Sequence, residues 1–197
     1  MTDVRALALE SASRRLAVAP LSGVTWAELV QDAGVPVEQI ARVYPTVHVI
    51  ASAVLDHERA SMRTAQERAF KATVDPLERL TLVFQFVGES LATDMLVRAG
   101  VRIASESRHL FPERRLDPFA TWEKFVSAQL IEGASSGLIR EGIDVPAAVR
   151  VLVAAGMGTV DLLAFHDAWD DAPPRLEATA AAVLDLIRTR PATAGTQ

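Results

Sequence analysis

The sequence predicts an all-α protein, and three observations carry that prediction. Half of the 197 residues are hydrophobic but only 6% are aromatic. A core would therefore consist mainly of Leu, Val, Ile and Ala, of which Leu and Ala are strong helix formers. No stretch alternates between polar and apolar residues for long enough to predict a strand. Prolines, which helix interiors exclude, stand at or near the predicted helix boundaries, at positions 36, 45, 76, 112, 118, 146, 173 and 174.

The N-terminal part predicts three helices, with a turn between the second and the third. Thr25 and Glu28 have the spacing of a capping box, in which each side chain binds a free backbone N–H group of the first helical turn. Gly34 stands where the end of a helix favours glycine. Pro36 stands at the start of the next helix, where a missing N–H group costs little. The predicted helices span residues 4–18, 25–33 and 36–44.

The remainder of the chain predicts further helices and an unstructured end. Apolar spacing and the positions of the prolines predict helices over residues 46–73, 94–106, 118–141, 145–165 and 174–188, and a further helix that starts at Asp75-Pro76 and includes Leu77 and Val87. Residues 191–197 are rich in Ala, Thr and Gly and predict a disordered tail.

A helix-turn-helix motif is predicted within residues 23–55, GVTWAELVQDAGVPVEQIARVYPTVHVIASAVL. In this motif two short helices meet at a turn, and the second helix enters the major groove of DNA. A plain helical hairpin would show the same periodicity. The stretch resembles the TetR family of transcription regulators without a gap. The matching features are Gly23-Val24-Thr25, Ala33-Gly34-Val35, Tyr44-Pro45 and Ala53-Val54-Leu55.

Residues 75–140 resemble the γ-butyrolactone receptor branch of the same family. The matching pieces are Asp75-Pro76-Leu77, Asp94, Val97-Arg98-Ala99-Gly100-Val101-Arg102, Glu106 and Trp122-Glu123. The resemblance implies an N-terminal three-helix helix-turn-helix domain over residues 1–46. It also implies a C-terminal helical ligand-binding and dimerisation domain over residues 47–190.

The candidate DNA-binding residues lie on or beside the helix-turn-helix motif. Gln39 and Arg42 lie on the recognition helix, and Gln and Arg side chains can bind base edges with two hydrogen bonds. Thr25 begins the helix before it, and Arg5 lies in a short N-terminal arm. The DNA-binding set is Arg5, Thr25, Gln39 and Arg42.

Phosphate-binding side chains are scarce in this region. TetR-family recognition helices usually begin with Ser or Thr and a Lys, and carry a Tyr and a His further along. The corresponding places hold Pro36, Val37, Ala41 and Val43, and Glu38 follows Val37. Residues 1–60 contain five Arg and no Lys against seven Asp or Glu. DNA affinity depends on neutralised phosphates, so these departures predict weak phosphate binding.

The candidate ligand-binding residues centre on Trp122. In the γ-butyrolactone receptor branch a tryptophan at this place lines the ligand pocket, and a flat apolar wall suits a small lactone or furan with an alkyl tail. A plain core residue is the alternative. Phe84 and Phe86 lie on different faces of one helix, so at most one reaches the pocket. With Gln85, Gln129 and Thr159 as polar groups on apolar faces, the predicted set is Gln85, Phe86, Trp122, Gln129 and Thr159.

The last two predicted helices form the candidate dimer interface. Residues 145–165 are apolar around most of the helix circumference, and the final helix carries Leu176, Ala180, Val183 and Leu184. A helix that is apolar all round is buried on several sides. A four-helix interface, with two helices from each subunit, explains this pattern. A self-contained core is the alternative.

No enzymatic, cofactor or metal site is predicted. The chain has no Cys, and it lacks the phosphate-loop, dinucleotide, zinc-protease and nucleophile-elbow motifs. No apolar run approaches the ~20 residues of a membrane span, so we expect a cytoplasmic protein without a membrane partner. A mixed-charge, solvent-exposed helix face is predicted from Asp56, Glu58, Arg59, Arg63, Glu67 and Arg68.

Two functions fit the sequence. The first is a homodimeric repressor that binds a palindromic operator and is controlled by a small hydrophobic signal such as a γ-butyrolactone. The second is a TetR-like protein with impaired DNA binding, which heterodimerises with a DNA-competent relative and modulates it. The net charge of −5 excludes neither function, because DNA binding needs only one basic face.

Overall fold

The computed structural model describes residues 3–189, which contain nine α-helices and no strand, as the prediction of an all-α protein requires. The predicted tail at residues 191–197 lies outside the described residues. The helices are α1 Val4–Leu16, α2 Trp26–Val30, α3 Val37–Val43, α4 Val47–Ala72, α5 Pro76–Thr93, α6 Met95–Glu106, α7 Pro118–Ser135, α8 Val145–His166 and α9 Ala172–Asp185.

The chain divides into two compact units. Of the described residues, unit 1 comprises residues 3–64 and 90–118, and unit 2 comprises residues 65–89 and 119–189. Helices α4 and α5 therefore contribute residues to both units. The predicted boundary at residue 46 separates a DNA-binding from a ligand-binding function and stays a prediction.

Unit 1 has an aliphatic core around α1, which packs against α2, α3 and α6. Asp3 caps α1 by accepting hydrogen bonds from the first backbone N–H groups of the helix. The side chains that fill this core are fully buried and come from α1, α2, α3, α4, α6 and the segment after α6: Ala8, Leu16, Leu29, Ile40, Ile50, Val54, Ala99 and Phe111.

Unit 2 brings α5 close to its neighbours through glycine. A methyl group on Gly88 would lie 2.6 Å from the backbone of Pro173 at the start of α9. A methyl group on Gly156 of α8 would lie 2.7 Å from the ring of Phe84 on α5. Because Cβ atoms do not approach other atoms so closely, both places require glycine. In the same unit, α8 packs along α9.

The ends of α7 and α9 differ from the prediction. α7 ends at Ser135 rather than at 141, because Gly137 has a φ of +70° and turns the chain. Ile139 then pairs with Arg188 in an isolated antiparallel bridge, in which Arg140 N–H donates to the Ile187 carbonyl. This pairing also ends α9 at Asp185 rather than at 188.

One helix is longer and more apolar than the expectation of no membrane-spanning run suggests. Helix α8 is 22 residues long and is apolar enough, by length and composition, to cross a membrane. It also carries Arg150 and Asp161, packs against α9, and buries Leu152 and Leu163. A core helix of a helical protein passes the same test of length and composition.

Candidate nucleic-acid interface and ligand site

The capping box predicted at the start of α2 is present. The backbone N–H of Glu28 donates to Thr25 Oγ1 at 3.3 Å, and the backbone N–H of Thr25 donates to Glu28 Oε2 at 2.7 Å. Gly34, with a φ of +69°, lies in the turn before α3. An L-residue with a side chain rarely adopts this conformation, so the glycine allows α3 to begin at Val37.

An indole hydrogen bond fixes α2 against the end of α3. Trp26 Nε1–H donates to the carbonyl oxygen of Tyr44 at 2.7 Å, and the side chain of Tyr44 is buried. Leu29 of α2 and Ile40 of α3 are fully buried in the core of unit 1. The two helices therefore form a helix-turn-helix with one apolar face in the core.

The predicted DNA-binding side chains are all exposed. Gln39 and Arg42 lie three residues apart on α3, so they share one face of the helix. Arg5 lies in the first turn of α1 rather than in an arm, with its Cζ atom 5.7 Å from the centre of the Tyr44 ring. Thr25 precedes α2 and is also exposed. DNA binding by these residues stays a prediction.

The positive and negative charges on the exposed face of α3 cancel. The exposed side chains of α3 are Val37, Glu38, Gln39, Ala41 and Arg42. They include one acid and one base, so the outer face of α3 carries no net charge.

A carboxylate occupies the N-terminus of α2. Hydrogen bonds from the backbone N–H and the hydroxyl of Thr25 hold the pKa of Glu28 below its ordinary value. The guanidinium of Arg15 lies 3.7 Å from the same carboxylate. The negative charge of Glu28 would repel a DNA phosphate that approaches Thr25, so the carboxylate would have to move before the phosphate could bind.

Unit 2 contains an aromatic cluster, which consists of Phe70, Phe84, Trp122 and Phe125. The rings of Phe84 and Trp122 lie 6.4 Å apart, those of Trp122 and Phe125 lie 6.0 Å apart, and those of Phe125 and Phe70 lie 6.3 Å apart. All three pairs are edge-to-face, which is a favourable geometry for aromatic rings. Trp122 is half-buried, whereas Phe84 is buried against Gly156.

The structure places Phe84, and not Phe86, beside Trp122. The ring of Phe86 lies instead under the guanidinium of Arg68, whose Cζ atom is 3.8 Å from the ring centre. Arg68 also donates to the carboxylate of Glu89 at 2.8 Å. Sequence periodicity separated the two phenylalanines correctly, but it did not indicate which of them faces Trp122.

The predicted polar groups of the ligand site already have partners inside unit 2. The buried Gln129 accepts a hydrogen bond from Arg79 at its Oε1 atom, 3.1 Å away. The hydroxyl of Thr159 lies 2.9 Å from the hydroxyl of Thr179 and joins α8 to α9. Gln85 is half-buried on α5. Ligand binding by Gln85, Phe86, Trp122, Gln129 and Thr159 stays a prediction.

Arg79 is a buried cation that sequence reasoning missed. Its guanidinium donates to Glu132 at 2.9 Å and to the carbonyl oxygens of Thr73 and Val74, in addition to Gln129. Its Cζ atom lies 4.7 Å from the centre of the Phe70 ring. Arg79 thus ties the loop before α5 to α7 next to the aromatic cluster.

Large apolar side chains remain exposed on α8. Val151 is 54% exposed, Leu162 is 58% exposed and Phe165 is 83% exposed. We call these three residues the apolar face of α8. Within residues 3–189 no three His, Asp or Glu side chains are grouped as a metal site would require.

Comparison with known proteins identifies the fold. Neither a protein-family model nor a curated protein matches the sequence. Solved structures match nearly all of the chain. The TetR family protein CprB from S. coelicolor A3(2) is 20% identical, with a TM-score of 0.82 over 94% of this chain and 89% of CprB.

Two other structures give the same result. A γ-butyrolactone receptor (ArpA-like protein) is 19% identical, with a TM-score of 0.72 over 93% of this chain and 96% of the receptor. A structure described as the molecular basis for control of antibiotic production by bacterial hormones is 24% identical. Its TM-score is 0.76, and the match covers 94% of this chain and 97% of the other chain. The chain therefore has the fold of the TetR-family regulators, as its sequence resemblance predicts.

Proposed function

We propose that the protein is a dimeric, ligand-responsive transcription regulator that binds an operator through α3. The observation that carries this proposal is the helix-turn-helix of unit 1, in which the Trp26–Tyr44 hydrogen bond holds α2 and α3 together. Gln39 and Arg42 then lie on the exposed face of α3, which is the face that a recognition helix presents to base edges. Operator binding needs no catalysis, and it places the protein in the cytoplasm with the DNA.

The aromatic cluster supports a small hydrophobic signal as the ligand. Ligand sites are lined mainly by apolar and aromatic side chains with a few polar groups. Trp122 and Phe84 supply flat apolar surface, and Gln129 lies on α7 two turns after Trp122. Since solved structures with this fold include a γ-butyrolactone receptor, we propose a γ-butyrolactone as the class of signal. Its effect depends on a difference in affinity between the DNA-binding and the released states.

The apolar face of α8 supports a homodimer. Exposed Val151, Leu162 and Phe165 give one helix an apolar surface that soluble monomers rarely expose. Leu186, directly after α9, is 67% exposed. Two copies of α8 and α9 would bury these side chains in a four-helix interface.

A second function is favoured by the charges on unit 1. The outer face of α3 carries no net charge, and Glu28 occupies the N-terminus of α2. Because phosphate contacts supply much of the affinity for DNA, a protein with this surface could act by pairing with a DNA-competent relative. The apolar face of α8 would then form a heterodimer.

Release from DNA by a lactone tests the first function. The purified protein is bound to a duplex from upstream of its own gene and titrated with a synthetic 2-acyl-γ-butyrolactone. We expect the lactone to release the wild type and to be weaker on a Trp122→Ala variant that still binds DNA. Retention on DNA at saturating lactone would contradict this class of signal. Binding only after a related regulator is added would favour the second function.

A further inference from the structure

Glu58 lies at the crossing of α4 and α6 in unit 1 and is half-buried there, whereas the sequence predicts a solvent-exposed, mixed-charge face. A methyl group on Gly100 of α6 would lie 2.9 Å from Glu58 Cγ and 3.3 Å from the carbonyl oxygen of Val54 on α4. The two helices therefore touch at the distance that glycine allows, and the stem of Glu58 fills the contact.

Apolar residues precede and follow Glu58 and Gly100 by one turn on each helix. Val54 and Met62 lie one turn before and after it on α4, and Val97 and Ala104 flank Gly100 on α6. Val54, Val97 and Ala104 are buried. Burial raises the pKa of the Glu58 carboxyl to about 7, and the charge of Arg59 opposes this increase only in part.

A second contact joins α4 to α6 at the start of α6. His57 Nε2 lies 2.6 Å from Asp94 Oδ2, and Asp94 Oδ1 accepts a hydrogen bond from the backbone N–H of Leu96. The N-cap of α6 is therefore held to the residue next to Glu58.

Apart from Arg59, the charged groups described next to the crossing have partners of their own. On α4, Asp56 accepts two hydrogen bonds from Arg114 in the segment after α6. On α6, Arg98 donates to the Leu91 and Ala92 carbonyls, and Arg102 donates to Glu106 and to the Ala17 carbonyl. On α1, which also packs on α6, Arg14 pairs with Glu10 and Arg15 with Glu28.

We infer that the α4–α6 crossing is a proton-controlled joint, in which the neutral Glu58 carboxyl lets the helices pack at Gly100 and its ionisation weakens that packing. A carboxylate at this place loses hydration, and none of the hydrogen bonds described above reaches it to compensate. The ionised form therefore favours a state in which the crossing opens to water.

The joint is placed to affect the recognition helix. α4 begins at Val47, four residues after α3 ends at Val43, and both belong to unit 1. A change in how α4 packs would therefore alter the support of α3. This consequence for DNA binding rests on the proposed function, whereas the joint itself does not.

The direction of the pH dependence follows from the raised pKa. Below the ordinary carboxyl pKa of 4.5, Glu58 is neutral in both the closed and the open state. Between 4.5 and about 7 the open state ionises while the closed state stays neutral, so the closed state loses stability as pH rises. Above that range both states are ionised, and no further loss occurs.

Hydrogen exchange of the α4 and α6 amides at pH 5 and pH 8 tests the joint, after correction for the intrinsic exchange rate at each pH. In the wild type, we expect the protection factors of the backbone amides near the crossing to fall on the order of a hundredfold from pH 5 to pH 8, since each unit of pKa shift is a factor of ten. Glu58→Gln should remove most of this fall. The control Glu67→Gln, an exposed glutamate on the same helix, should behave as the wild type.

The inference is overturned if amide protection in Glu58→Gln falls from pH 5 to pH 8 as much as in the wild type. It is also overturned if amide protection in the wild type does not fall. DNA binding by the same proteins is measured at both pH values as a separate readout. A pH response in exchange without DNA binding at either pH would leave the joint standing and would count against the proposed repressor.

Discussion

At the scale of single residues, Trp26 shows how one hydrogen bond positions α3 against α2. Replacing Trp26 with Phe keeps an aromatic ring but removes the donor to the Tyr44 carbonyl. We expect unit 1 to lose about 1 kcal/mol of stability, the usual contribution of such a bond, as measured by urea unfolding. Trp122→Phe, which removes an indole N–H that has no hydrogen bond within residues 3–189, is the control. An equal loss in both variants would show that ring size, and not the bond, is responsible.

Glu28 provides a second test at this scale. Glu28→Gln keeps an acceptor for the backbone N–H of Thr25 but removes the negative charge at the start of α2. We expect DNA affinity to rise a few-fold at low salt and the gain to shrink as salt screens the charge. The control is Glu10→Gln, an exposed acid on α1 that pairs with Arg14. Unchanged affinity in Glu28→Gln would mean that DNA does not approach this helix end.

Residue-level prediction from the sequence succeeded where the signal is local. Thr25 and Glu28 are three residues apart, and their capping box forms as their spacing requires. Phe84 and Phe86 were separated by helical periodicity, but which face meets Trp122 depends on α7 and α8, whose positions the spacing does not contain. Glu58 was grouped with exposed charges, because nothing in its own helix reveals that Gly100 lies against it.

At the scale of elements, two glycines of α8 form a matched pair. A methyl group on Gly156 would lie 2.7 Å from the Phe84 ring, whereas one on Gly158 meets no described atom within 4 Å. We expect Gly156→Ala to destabilise unit 2 by about 1–3 kcal/mol through overpacking. Gly158→Ala should be neutral or stabilise the helix by up to about 1 kcal/mol. Thermal unfolding of both variants measures the difference, and equal effects would contradict the packing of α5 on α8.

Helix starts were more predictable than helix ends. Starts depend on caps and prolines within one turn, so the sequence placed the beginnings of α2, α4, α5, α7 and α8 closely. α7 ends at the turn of Gly137, and the pairing that follows joins Ile139 to Arg188, which are far apart in the chain. Apolar periodicity continues through that region and therefore predicted too long a helix.

At the scale of the whole molecule, the exposed apolar face of α8 predicts self-association. Phe165 is 83% exposed, and Phe165→Glu would place a charge in the proposed four-helix interface. We expect the wild type to sediment as a dimer and the variant to shift toward monomer at micromolar concentration. Val18→Glu changes a side chain of unit 1 that is 68% exposed and should remain dimeric. A wild type that is monomeric at high concentration would contradict the interface.

The central claim is that α3 reads an operator, and the salt dependence of DNA binding tests it most directly. Fluorescence anisotropy would compare a duplex from upstream of the gene with a scrambled duplex, from about 50 to about 300 mM salt. We predict specific binding that weakens steeply with salt. Arg42→Ala should weaken binding to the specific duplex by about 1–3 kcal/mol and affect the scrambled duplex less, because the proposal places Arg42 at a base edge. Absence of specific binding at the lowest salt, by folded and dimeric protein, would contradict autonomous operator binding.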